Sequence, residues 1–127
     1  MRLLAATTFT VLLAFSQHTP AQETSKYSQK TLLKNWAMSR CFAQAFPETA
    51  VKDDANDTAS GYLEYGNQPI EAYNELDILV GKYVARKYAG VAKSDFNTMK
   101  CIDLFHSKEL DQLASKLAKS GGKSKAP

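Results

Sequence analysis

The obvious candidate for a reaction centre in this sequence is Cys41 or Cys101 with His106 and Asp103. A thiol nucleophile needs a base within hydrogen-bond reach and a third group to orient that base. Side chains share a helix face three or four residues apart. His106 lies five residues past Cys101 and Asp103 two past it, so neither falls where a base should stand. The other histidine, His18, lies in the N-terminal segment. If that segment is removed, one histidine remains, which is too few for a two-histidine metal site, and no zinc ligand spacing is present. Asp53-Asp54-Ala55-Asn56-Asp57 invites a calcium reading. Counted from Asp54, however, Ala59 holds the glycine position of such a loop and Tyr65 its final ligand position. Acidic residues early in a helix suit its positive end, which accounts for this run as a solvated face. There is no glycine-rich phosphate loop and no Gly-x-Ser-x-Gly elbow. These residues argue against an enzyme and imply no cofactor and no metal. His106 reads as a helix-end cation or a surface residue.

Cys41 and Cys101 are the only cysteines, and their use depends on the compartment. Arg2 is followed by the mostly apolar, uncharged run Leu3 to Phe15, and the small and polar residues from Ser16 to Ala21 suit cleavage. This is the three-part pattern of a secretory signal peptide over 1–21, and the run is short for a membrane span. No cysteine lies at the cleavage region to take a lipid. Two cysteines in an exported chain, with none left over, imply one disulfide formed in an oxidising space, the periplasm. The alternative is two unpaired buried thiols. Sixty residues separate the pair, so the chain-entropy model gives the bridge about 4 kcal/mol.

About 100 residues remain for the mature domain, enough for one modest core. From Gln22 to Ala118 there are 12 Lys and Arg against 13 Asp and Glu, a net of −1. The overall +3 comes from Arg2 and from Lys119, Lys123 and Lys125. With no basic face built into the domain, nucleic acid is not an expected partner. The tail Ser120–Pro127 has nothing to bury and reads as disordered.

Five helices are expected across 27–119. The first runs from Tyr27 to Phe46. Its apolar residues Leu32, Leu33, Trp36, Ala37, Met38, Cys41, Phe42, Ala45 and Phe46 cover much of the circumference, as in a buried central helix. Pro47 ends it. The second spans Val51 to Tyr65, with Ala55, Ala59, Tyr62 and Leu63 as a narrow stripe and Gly66-Asn67 as its stop. The third spans Pro69 to Ala89, with Tyr73, Leu76, Val80, Tyr83 and Val84 at helical spacing. Gly81 inside it suggests close helix packing. Ile70, Ile78 and Leu79 lie off the stripe, leaving surface for a second chain. Gly90 is read as a left-handed helix stop. The fourth helix is capped by Ser94 or Asp95, and Met99, Ile102 and Phe105 form its apolar face. Cys101 lies beside that face, where it can bridge to Cys41. The fifth runs from Lys108 to Lys119 and carries Leu110, Leu113, Ala114 and Leu117, capped by Ser107 and stopped by Gly121. No alternating strand and no internal repeat appears. The fold class is all-α: a compact bundle of about five helices with one interhelical disulfide. Such a rigid exported product suits an inhibitor, an adaptor or a chaperone.

Three segments carry a resemblance. They are Lys34-Asn35-Trp36-Ala37-Met38-Ser39-Arg40-Cys41, Pro69-Ile70-Glu71-Ala72-Tyr73 and Phe96-Asn97-Thr98-Met99-Lys100-Cys101-Ile102-Asp103-Leu104-Phe105-His106-Ser107. They resemble the amidase immunity proteins of bacterial type VI secretion systems, in the fourth effector–immunity group, and the likeness extends over about Tyr27 to Leu117. The resemblance implies an all-helical periplasmic protein that blocks an injected peptidoglycan amidase, itself a cysteine–histidine hydrolase. It further implies a homodimer that holds two effectors. One subunit sends a protruding loop into the effector's catalytic groove, and a helix of the other adds contacts. By order of elements that loop is Tyr88, Ala89, Gly90, Val91, Ala92, Lys93, Ser94 and Asp95. Gly90, Val91 and Ala92 are slim enough for a narrow groove, and Lys93, Ser94 and Asp95 can make polar contacts at its rim. The alternative function is a small periplasmic chaperone of the acid-stress kind. A single mature-domain histidine and ordinary carboxylates supply no special acid trigger for it.

Overall fold

The computed structural model describes residues 23–121. The expected signal peptide over 1–21 lies outside the described residues, as does the tail from Gly122 onward. A single 3-10 turn at Thr24–Lys26 leads into α1, Gln29–Ala45. Then follow α2, Ala50–Glu64; α3, Ile70–Val84; α4, Asn97–His106; and α5, Lys108–Ser120. The described residues contain these five α-helices and no strand.

The wide apolar circumference of α1 has the expected consequence: α1 packs against each of the other four helices. Ser28 starts it, its Oγ accepting from the Thr31 N–H at 3.1 Å, which satisfies one of the free amides of the first turn. Leu32, Leu33, Trp36, Ala37, Cys41 and Ala45 are buried, and Met38, Phe42 and Phe46 are partly buried against the core. Across the bundle they meet Tyr73, Leu76, Val80 and Tyr83 of α3 and Leu110, Ala114 and Leu117 of α5. Trp36 and Tyr73 meet edge to face with centroids 5.1 Å apart, a favoured geometry for aromatic pairs. A polar brace closes one side: Arg40 on α1 donates to both carboxylate oxygens of Asp77 on α3, at 3.0 and 3.1 Å, and to Asn56 Oδ1 on α2 at 2.6 Å.

The interhelical disulfide joins Cys41 of α1 to Cys101 of α4, both completely buried. Ser107 caps α5 as expected, with its Oγ accepting from the Leu110 N–H at 3.1 Å. Gly121 follows as the C-cap of α5 and is buried against Asn67 and Gln68, so the expected disordered tail does not begin at Ser120.

Several expectations fail, each for a physical reason. Helix α3 ends at Val84, five residues before Ala89. Gly90 has no positive φ and terminates nothing. Ser94 and Asp95 do not occupy the N-cap of α4; that position is Phe96, in the left-handed region at φ 53°, ψ 38°. Met99 and Ile102 are exposed, while Lys100, Cys101 and Leu104 are buried. The bridge and Leu104 fix the rotation of α4, and this turns the expected apolar face outward. Leu79 is buried rather than free, and Leu63 is exposed. A Cβ on Gly81 would come no closer than 3.9 Å to Gln44 Oε1, so close packing does not require this glycine.

Candidate partner-binding site

The early end of α3 leaves the twelve-residue connection Ala85–Phe96, with the expected loop Tyr88–Asp95 inside it. Tyr88 is half-buried, and Ala89, Gly90, Val91, Ala92, Lys93, Ser94 and Asp95 are all exposed. Val91 stands fully in solvent at 109% relative exposure, an unusual position for a β-branched apolar side chain.

The stems of this loop are anchored. The Tyr88 hydroxyl donates to Asp103 Oδ2 on α4 at 2.6 Å. That hydrogen bond raises the Tyr88 pKa above its ordinary 10.0, because losing the phenolic proton beside a carboxylate is unfavourable. The Arg86 guanidinium lies over the Tyr83 ring, 3.5 Å from its centroid. At the far stem, the Phe96 N–H donates to Ser94 Oγ at 3.0 Å. The Phe96 ring covers Gly90 so closely that a Cβ there would sit 2.9 Å from the ring. A bulky residue at positive φ is a strained backbone position, and this ring contact across the loop accompanies it.

Below the stems, the Lys100 ammonium donates to Val84 O at 3.3 Å and to Asn97 Oδ1 at 3.1 Å. Asn97 Nδ2 donates in turn to Ala45 O at 3.0 Å. Val84 and Ala45 are the last residues of α3 and α1, whose end carbonyls have no partner within their own helices. The lysine thus places positive charge at a helix C-terminus, where the helix dipole favours it.

Beside the loop lies an open concavity of about 710 Å³ lined by Phe46, Ser94, Asp95, Phe96, Asn97, Thr98, Met99 and Ile102. Its apolar lining includes Met99 and Ile102, two of the three residues that the helical spacing of α4 assigned to the core. The structure therefore brings Ser94 and Asp95 together with Met99 and Ile102, while the tip around Val91 stands apart from them. Sequence reasoning missed Phe96, Asn97, Lys100 and the Tyr88–Asp103 pair. One signal was available: Lys100 sits in the first turn of a helix, the end where a cation is disfavoured, three residues after a carboxamide on the same face. Cys41 and Cys101 are where they were expected. Among the described residues no cluster of three or more His, Cys, Asp or Glu could hold a metal ion, and no helix is long and apolar enough to cross a membrane.

Comparison with known proteins agrees with this architecture. No curated protein matches the chain. A chain of the Tae4/Tai4 effector–immunity system of Salmonella typhimurium is 53% identical, with 73% of this chain and 92% of that chain covered at a TM-score of 0.70. A chain from a Serratia marcescens study of type VI-secreted toxins and self-resistance proteins is 31% identical, covering 79% and 82% at 0.72. A chain of the Tae4–Tai4 type VI effector–immunity complex of Enterobacter cloacae is 26% identical, covering 72% and 93% at 0.63. Residues 31–114 match the model of the Tai4 family, the type VI secretion system amidase immunity proteins, and the chain belongs to that family.

Proposed function

We propose that this protein binds a type VI secreted peptidoglycan amidase and inhibits it by inserting the loop Tyr88–Asp95 into the active-site cleft. The observation that carries this reading is the loop itself. A slim, exposed tip at Gly90-Val91-Ala92 is held at its first stem by the Tyr88–Asp103 hydrogen bond to the bundle and at its far stem by the Ser94 hydroxyl and the Phe96 ring. A loop ordered before binding loses little entropy on entering a groove. The apolar concavity along Phe46, Met99 and Ile102 flanks it and would meet the rim of the cleft. The inhibitor acts in the periplasm after loss of residues 1–21, where the Cys41–Cys101 bridge is stable. It works as a homodimer, and the exposed Ile78 and Ile70 of α3 offer apolar surface for the second chain.

The test is a cell-wall cleavage assay with the cognate amidase and excess purified protein. Cleavage should stop with the wild type. Val91→Glu places a charge on an atom-exposed tip without touching the core, and it should weaken inhibition at least about thirtyfold, the scale of an interface hot spot. Undiminished cleavage in the presence of wild-type protein would refute the function. Full inhibition by Val91→Glu would refute the placement of the loop.

A further inference from the structure

We propose that Lys100 and Asn97 are positioning residues for the inhibitory loop: they tie the ends of α1 and α3 to the start of α4 and so set the angle at which the loop leaves the bundle. The proposal rests on the preceding functional reading.

Lys100 is 6% exposed, and lysine is almost never buried so deeply without a partner charge. Among the described residues its ammonium makes no ion pair. Its acceptors are the Val84 carbonyl, where the loop begins, and Asn97 Oδ1, one residue after the loop ends. Asn97 completes the link by donating to Ala45 O. Three helix ends therefore converge on one ammonium and one carboxamide. The free Val84 carbonyl and the helix dipole favour a cation here for stability as well, so the test has to separate loop positioning from stability. Among the described residues, this is the link that joins both stems of the loop directly. Tyr88–Asp103 ties only the first stem to α4, and the Phe96–Gly90 contact lies within the loop.

The experiment measures two quantities on the full-length mature protein. The first is the inhibition constant against the amidase. The second is the rate of tryptic cleavage after Lys87 and Lys93, read by mass spectrometry well below the melting temperature. Lys100→Met keeps the volume and removes the donor. Leu117→Ala, on α5 and outside the loop and the concavity, serves as a control that loses stability. Lys100→Met should raise the inhibition constant about tenfold to a hundredfold, as expected when a binding loop must be ordered on association, and it should speed loop cleavage. Leu117→Ala should do neither. An unchanged inhibition constant for Lys100→Met overturns the proposal, whether or not cleavage accelerates. An equal rise for Leu117→Ala also overturns it, because the effect would then be general destabilisation. Should Lys100→Met fail to fold, Asn97→Ala breaks the same link from the solvent side and is judged by the same two readings. If the wild type itself does not inhibit, the functional reading fails, and cleavage alone then decides whether these residues order the loop.

Discussion

Removing the disulfide is the most quantitative perturbation the fold offers. Cys41 and Cys101 are both completely buried, and sixty residues separate them. The unfolded chain thus loses a loop closure of that length when the bridge is present, which the entropy model puts at about 4 kcal/mol. The double variant Cys41→Ala/Cys101→Ala removes the bridge without burying hydroxyl groups, which would add a separate desolvation cost. A domain of this size shifts its melting temperature by roughly 4–8 °C per kcal/mol. The variant should therefore melt about 15–30 °C below the oxidised wild type in a calorimetric or circular-dichroism scan. Denaturant unfolding in parallel should show a lower midpoint. Its slope should rise as well, because the uncrosslinked denatured chain exposes more surface. A difference under about 1 kcal/mol would refute the reasoning. It would mean that the hydrophobic contacts of α4 with α1 hold that helix as well without the bridge, and that the denatured chain is compact enough to gain little from closure.

Two further predictions concern positions away from the loop. Gly61 lies inside α2 with nothing within 4 Å of where a Cβ would stand. Gly61→Ala should stabilise the protein by about 0.5–1 kcal/mol, as expected for replacing a helix-interior glycine; a denaturant midpoint at or below wild type would contradict this. Asp111 accepts from Lys30 at 2.8 Å and lies 3.4 Å from Lys34. The Lys30 hydrogen bond first, and then the one from Lys34, hold its pKa below the ordinary 3.8 despite an opposing contribution from desolvation. A depressed folded-state pKa contributes stability above the unfolded value, and that contribution is lost as pH falls through the folded value. The stability gap between wild type and Asp111→Asn should therefore be present at neutral pH and close as the pH falls below the ordinary carboxylate value of 3.8. A gap that persists or widens in acid would show that the ion pairs are not its source.

The elements read most reliably from sequence were those whose pattern is self-contained. The apolar residues of α1 surround the helix, so any packing that buries them places α1 at the centre. The Ser107 cap and the Leu110, Ala114 and Leu117 stripe define α5 within a few turns. The bridge followed from the cysteine count and the expected export alone. The end of α3 had no such local signature. Ala85-Arg86-Lys87-Tyr88-Ala89 is a run of residues a helix accepts, and what departs from the helix there is set from elsewhere: Lys100 takes the Val84 carbonyl and Asp103 takes the Tyr88 hydroxyl. Partners fifteen residues or more away in sequence override propensity, which is a weak prior. Leu79 is a similar case: it joins the core cluster, and α3 packs against α5 as well as α1.

The misreading of α4 bears on function. Two arcs run along α4, Met99-Ile102-Phe105 and Cys101-Leu104, and helical spacing pointed to the first, the more apolar, alone. The bundle buries the second, because Cys101 has to reach Cys41 and a single bond direction fixes the rotation of a ten-residue helix. Met99 and Ile102 are then displayed beside Ser94 and Asp95 in one concavity, while the fully exposed Val91 stands apart on the same loop. Local pattern and tertiary structure disagree here, and such disagreements concentrate where a surface serves something other than folding. In a protein that shows no reaction site among its described residues, the exposed apolar arc of α4 and the tip at Val91, like Ile70 and Ile78 on α3, are surfaces for which folding alone gives no reason. A partner that buried both on binding would supply that reason.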